Sequence, residues 1–182
     1  MKDYFTIKNG LLALFGTFLI AISAQLPLQL PLINTDIPGT WQTFAVLVFA
    51  FVTNRWVAIA SVLLYLLAGV IGMPVFADGS SGLSVLLGKT GGYLYGFAFG
   101  AGLVSWLGER YGRANFIKGL IAMTLGTATI LVFGVSHLGA SIGFENALKY
   151  GLYPFLLGAA IKIIFGAAVV PFYFFMKKRT GK

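Results

Sequence analysis

The chain of 182 residues contains no cysteine, a single histidine, His137, and only five acidic residues. Without cysteine there is no disulfide, no thiolate nucleophile and no Cys-based metal site. With one histidine, metal clusters and Ser–His–Asp arrangements are nearly excluded, so neither a catalytic residue nor a metal ligand is expected. Charged residues of both signs make up only 10% of the chain. A soluble domain of this size could not hide the apolar remainder, which is 58% of the residues at a mean hydropathy of +0.90.

What the chain does have is long apolar runs. A bilayer-crossing helix needs ~20 mostly apolar residues, so this length holds about six with little left over. The expectation is an all-α membrane protein forming one domain over residues 1–182, with no soluble appendage. The runs place helices at about Asn9–Leu26, from near Trp41 to the "TNRW" turn, and at about Val57–Val75. Further helices are expected at about Thr90–Leu107, Lys118–Val135 and Tyr153–Met176. The first run is longer than a usual signal core and other spans follow, so it reads as a retained helix.

The net charge of +8 is distributed in short clusters between the apolar runs, which fits cytoplasmic helix ends and argues against nucleic acid. With the N-terminus inside, the inner segments hold Lys2, Lys8, Arg55, Arg110, Arg113, Lys118, Lys177, Lys178, Arg179 and Lys182. The outer segments hold Lys89 and Lys149. Both termini are therefore expected in the cytoplasm. The outer segments "PLQLPLINTDIPGTWQT" and "FADGSSGLSVLLGKTGGY" are Gly- and Pro-rich and poor in charge. Such loops read either as lids folded over the extracytoplasmic face or as plain closures of the bundle. "GKTGG" resembles the end of a phosphate loop, but the required leading glycine is Leu83 and the segment falls outside, where there is no ATP.

The last apolar run carries one charge, Lys162. A lysine at a helix centre costs ~2.5–3.5 kcal/mol on insertion scales. At 1.5 Å per residue it lies roughly 12–18 Å below the outer helix end and about 22 Å from Lys177, which strains a snorkelling explanation. It could pair with Asp36, Asp78 or Glu145. It could instead line a cavity entered from outside, where an anionic ligand supplies the counter-charge. Trp41, Gln42 and Thr43, where the first outer segment meets the second helix, and Tyr93 at the start of the fourth could complete such a cavity. Trp41 and Tyr93 serve equally well as interface anchors. A membrane-embedded Gln42 needs partners. Ala13, Thr17 and Ala21 form a four-residue small stripe that fits packing within the chain or docking to another membrane subunit. No acid–base or metal set for an intramembrane enzyme is visible.

The blocks "TWQTFAV", "LLYLLAGVIGMPVFADGSSGLSVLLGKTGGYLYGF" and "PFLLGAAIK" together resemble the BioY family, the biotin-binding substrate (S) components of energy-coupling factor (ECF) transporters. The resemblance runs in order over nearly the whole chain. It implies six transmembrane helices and an outward-facing biotin pocket. It also implies docking to a transmembrane coupling subunit and two cytoplasmic ATPases, although members can act without that module, alone or as oligomers. The stripe Ala13, Thr17, Ala21 matches the docking face of such components. The family usually has "PGD-x-x-K" on the last helix; here Leu157 stands for the proline and Ala159 for the aspartate, while Lys162 is kept. Ser80 stands at a loop position that is Asn in some relatives, and Lys89 replaces a proline. The implied substrate residues are thus Lys162, Tyr93, Gln42, Thr43, Ser80 and position 159, with biotin as ligand and no cofactor. Another anionic vitamin on the same architecture is the alternative.

Overall fold

The computed structural model describes residues 6–28, 37 and 39–179, apart from the side chains of residues 175–178. Among these, eight α-helices form: α1 Ile7–Ala24, α2 Gln42–Val52, α3 Arg55–Val70, α4 Leu83–Leu87, α5 Gly91–Tyr111, α6 Phe116–Ile142, α7 Phe144–Gly151 and α8 Tyr153–Arg179. Asp36, Lys2, Lys182 and most of the first Pro-rich segment lie outside the described residues.

The helix starts follow local chemistry. Thr6, Asn54 and Asn115 cap α1, α3 and α6, their side-chain oxygens accepting the backbone N–H three residues on. The ends at Gly112 and Gly143 use positive φ, 89° and 84°, which other residues adopt only at a cost. The third expected helix stops at Val70 rather than Val75, because Gly72 turns at φ 102°. The fifth, expected to end at Val135, continues seven residues further to Ile142, through Ser136 and His137. The amphipathic α7 and the short α4 occupy stretches read from sequence as loops.

Three of the described helices, α1, α6 and α8, are long and apolar enough to cross a membrane; α2 and α3 are apolar but shorter. The main core joins residues of α1, α2, α3, α5, α6 and α8, including Tyr65, Phe51, Val104 and Ile130. The tightest seam is α5 on α6. Gly92, Gly96 and Gly100 present a bare backbone stripe; a Cβ at Gly96 would lie 2.9 Å from Ile130 Cα, and one at Gly92 would lie 2.5 Å from the Phe133 carbonyl oxygen. Small residues at four-residue spacing allow that approach.

Ala13 of the small stripe on α1 is buried, while Thr17 and Ala21 are half-buried. Ala13 is buried against Phe49 and Val57, the Thr17 hydroxyl donates to the Ser61 carbonyl of α3 at 3.0 Å, and Ala21 packs on the main core. Leu11, Leu14, Phe15 and Phe18 are among the exposed residues of α1.

Candidate functional site

A cavity of about 440 Å³ opens at the end of the bundle where α2, α5 and α8 begin. That size lies in the roughly 300–1,000 Å³ range of small-molecule sites. Its walls are mostly apolar: Phe76 and Val85 from the α3–α5 connection, Leu94 and Phe97 from α5, Ile130 from α6 and Phe155 from α8.

Two hydrogen-bonded segments shape the mouth. The first Pro-rich loop is closed at its base by a strand-like bridge between Pro27 and Thr40, with Leu28 N–H donating to the Gly39 carbonyl at 2.7 Å. Residues 75–79 are pinned by Gln25, just past α1. Its amide nitrogen donates to the Phe76 carbonyl at 2.8 Å, and its amide oxygen accepts from Gly79 N–H at 3.0 Å. His137 Nε2 donates to the Gly88 carbonyl at 3.0 Å and so fixes the turn before α5. Gln25 did not stand out from sequence, and His137 only as the single histidine, because their partners are backbone carbonyls and amides that leave no pattern.

All six residues singled out for the substrate line this one cavity: Lys162, Tyr93, Gln42, Thr43, Ser80 and Ala159. Their polar atoms are engaged differently. The Tyr93 hydroxyl donates to the Gly151 carbonyl at 2.7 Å, so its ring acts as wall. Gly134 leaves the room for that ring, since a Cβ there would sit 2.2 Å from it. Ser80 donates to the Ala77 carbonyl at 2.7 Å and closes a tight turn. Gln42 is buried, and its amide nitrogen donates to the hydroxyl of the fully buried Tyr65. That contact supplies a partner the embedded amide required. Trp41 stands edge-on to Phe44, with ring centroids 5.6 Å apart, and does not join the lining.

Lys162 is half-buried. Its ammonium donates to the Thr40 carbonyl at 2.6 Å and to Thr43 Oγ1 at 3.0 Å, tying α8 to the start of α2. Among the described residues no carboxylate pairs with it; Asp78 lines the cavity without reaching it, and Glu145 lies on α7. An ammonium has three donors, so one N–H has no partner among the described residues of a mainly apolar cavity. The methyl of Ala159 stands one helical turn away, leaving no acid on α8 to neutralise the charge. Thr127 of α6, not anticipated from sequence, lines the same cavity. The arrangement can bind an anion whose remaining surface is apolar. Among the described residues no group of three or more His, Cys, Asp or Glu could hold a metal.

The family model of the BioY family matches residues 1–178. The chain belongs to the BioY family. It is 36% identical over 168 residues to the biotin transporter BioY2 of Lactococcus lactis subsp. cremoris, covering 86% of this chain and 91% of that relative. It is 32% identical over 164 residues to the biotin transporter BioY of Thermotoga maritima, covering 90% and 91%. Among solved structures it is similar to the S-component for biotin from an ECF-type ABC transporter, with TM-score 0.80, 23% identity and coverage of 94% and 93%. That likeness carries the fold.

Proposed function

We propose that this BioY-family protein captures biotin in the cavity and serves its uptake as the S component of an ECF transporter in the bacterial cytoplasmic membrane. It is a transporter and catalyses no reaction. The observation that carries the ligand reading is the charge balance of the cavity: one ammonium, with a donor to spare, set in apolar walls. Biotin matches it with a carboxylate on an otherwise compact, weakly polar body. Lys162 pairs that carboxylate, Tyr93 and Phe155 wall the ring system, and Gln42, Thr43 and Ser80 border it. Ala159 leaves the counter-charge to the ligand.

In this reading residues 1–182 form one domain with six spans, α1, α2, α3, α5, α6 and α8, while α4 and α7 lie at the cavity end. Arg55, Arg110, Arg113 and Lys118 sit at the opposite end of the helices from the cavity. The positive-inside rule then puts both termini in the cytoplasm and the cavity toward the outside. A transmembrane coupling subunit and two ATPases are the partners that drive release inside. The coupling subunit docks on α1, where the stripe of Ala13, Thr17 and Ala21 lies beside the exposed Leu14 and Phe18.

Calorimetric titration of the purified protein with biotin tests the ligand. One-to-one binding in the submicromolar range is expected, undiminished by an excess of unrelated vitamins. Absence of binding would overturn the reading.

A further inference from the structure

A threonine inside an apolar helix ordinarily returns its hydroxyl proton to the carbonyl four residues back, because nothing else polar is near. This chain follows that habit at Thr17 to Ala13, Thr53 to Phe49 and Thr129 to Leu125, at 2.8–2.9 Å. Ser61 does the same to Val57. Thr127 breaks it. Only 8% of its surface is exposed, it stands on the same helix as Thr129, and its hydroxyl has no hydrogen-bond partner among the described residues. It lines the main cavity. It also lines a small hollow of about 10 Å³ that shares Thr43, Ala159 and Lys162 with that cavity. A hollow of that size holds roughly one water-sized atom group. The hydroxyl oxygen is therefore reached from the cavity rather than sealed in the protein, and, beside the ammonium of Lys162, it points to a ligand oxygen.

We propose that Thr127 is a ligand-contacting residue whose hydroxyl donates to the same ligand group that Lys162 meets. This rests on the biotin reading, in which that group is the carboxylate. Thr43 supports the arrangement by holding the ammonium through its own oxygen, at 3.0 Å. The ligand then enters with its acid end toward the hollow, where α2, α6 and α8 each contribute one polar side chain, and its ring system lies against the apolar walls.

The test is biotin titration of the full-length protein and its Thr127→Val, Thr127→Ser and Lys162→Met variants, alone and with Val and Met combined. Thr127→Val keeps the shape and removes the hydroxyl. It is expected to weaken biotin about tenfold, the scale of one hydrogen bond to a charged group. Thr127→Ser keeps the hydroxyl and stays within about threefold of the parent protein. In the Lys162→Met background the Val substitution costs less than about threefold, because both residues hold one group and their losses do not add. Thr127→Ala serves the same comparison if the Val variant does not fold. Equal weakening by Val and Ser would mean packing alone, and full loss in both backgrounds would mean a separate ligand group; either overturns the proposal. Unchanged affinity of Thr127→Val does so too. Failure of the parent protein itself to bind biotin would instead overturn the underlying reading, and the proposal with it.

Discussion

Two cations at opposite ends of the bundle meet the same difficulty in different ways. Arg113, in the α5–α6 turn, sends Nε to the Phe51 carbonyl and Nη2 to the Thr53 carbonyl at 2.7 Å. These are carbonyls that the C-terminal end of α2 leaves unpaired. Ser105 adds its hydroxyl to the Thr53 carbonyl at 2.7 Å, and Glu109 pairs Arg55 at 3.0 Å. Burial pushes the Arg113 guanidinium down from its ordinary pKa while the Glu109 charge pulls it back up. Lys162 at the other end has two acceptors for three donors and no carboxylate among the described residues. One end thus spends its positive charge on the chain itself and is a lock. In the proposed function, the other keeps part of its charge for the ligand. A charge close to the membrane therefore marks a binding site only where internal acceptors fail to exhaust it.

The contrast predicts that substitutions at the two ends fail in different assays. Lys162→Met is expected to have the largest effect, weakening biotin by about 1.5–3 kcal/mol, on the order of 10–150-fold, with melting temperature held or raised. A loss of stability in place of affinity would make Lys162 another lock. Gly96→Leu, in the seam that holds both ends in register, is expected to lower stability by about 1–3 kcal/mol, because its side chain meets the Ile130 backbone. Thermal melting in detergent reads that effect. Arg113→Ala is expected to destabilise by about 1–2 kcal/mol through stranded carbonyls, while biotin affinity stays within about twofold. Weakened biotin binding in a stably folded Arg113→Ala protein would break the separation of the ends. Glu109→Gln is expected to cost under about 1 kcal/mol, since the pair it breaks is largely exposed.

Much of this was legible in the sequence because apolar runs are long and their interruptions are chemically loud. Lys162 stood out as the lone charge in its run, and it lines the cavity. The readings that moved were those resting on polarity alone. Ser136 and His137 look like a loop but continue α6, since His137 has the Gly88 carbonyl to meet. The small stripe of α1 was visible, but not that its Thr17 hydroxyl bonds to the Ser61 carbonyl of α3. The equivalent stripe Gly92, Gly96, Gly100 in "GGYLYGFAFG" carries the tighter seam and had the same signal. Thr127 was invisible because a threonine in an apolar helix usually satisfies itself. Arg113 was visible as a charge, but not the carbonyls that receive it, sixty residues earlier in the chain.

The central claim is that the cavity leaves Lys162 incompletely neutralised and the ligand completes the pairing. Affinities for biotin and for biotin amide, which lacks the negative charge, test it most directly when measured in parallel on the parent protein and on Lys162→Met. The account predicts a clear preference for biotin in the parent, about tenfold or more, that collapses to near equality in the variant. The same preference in both proteins, or none in either, would contradict it.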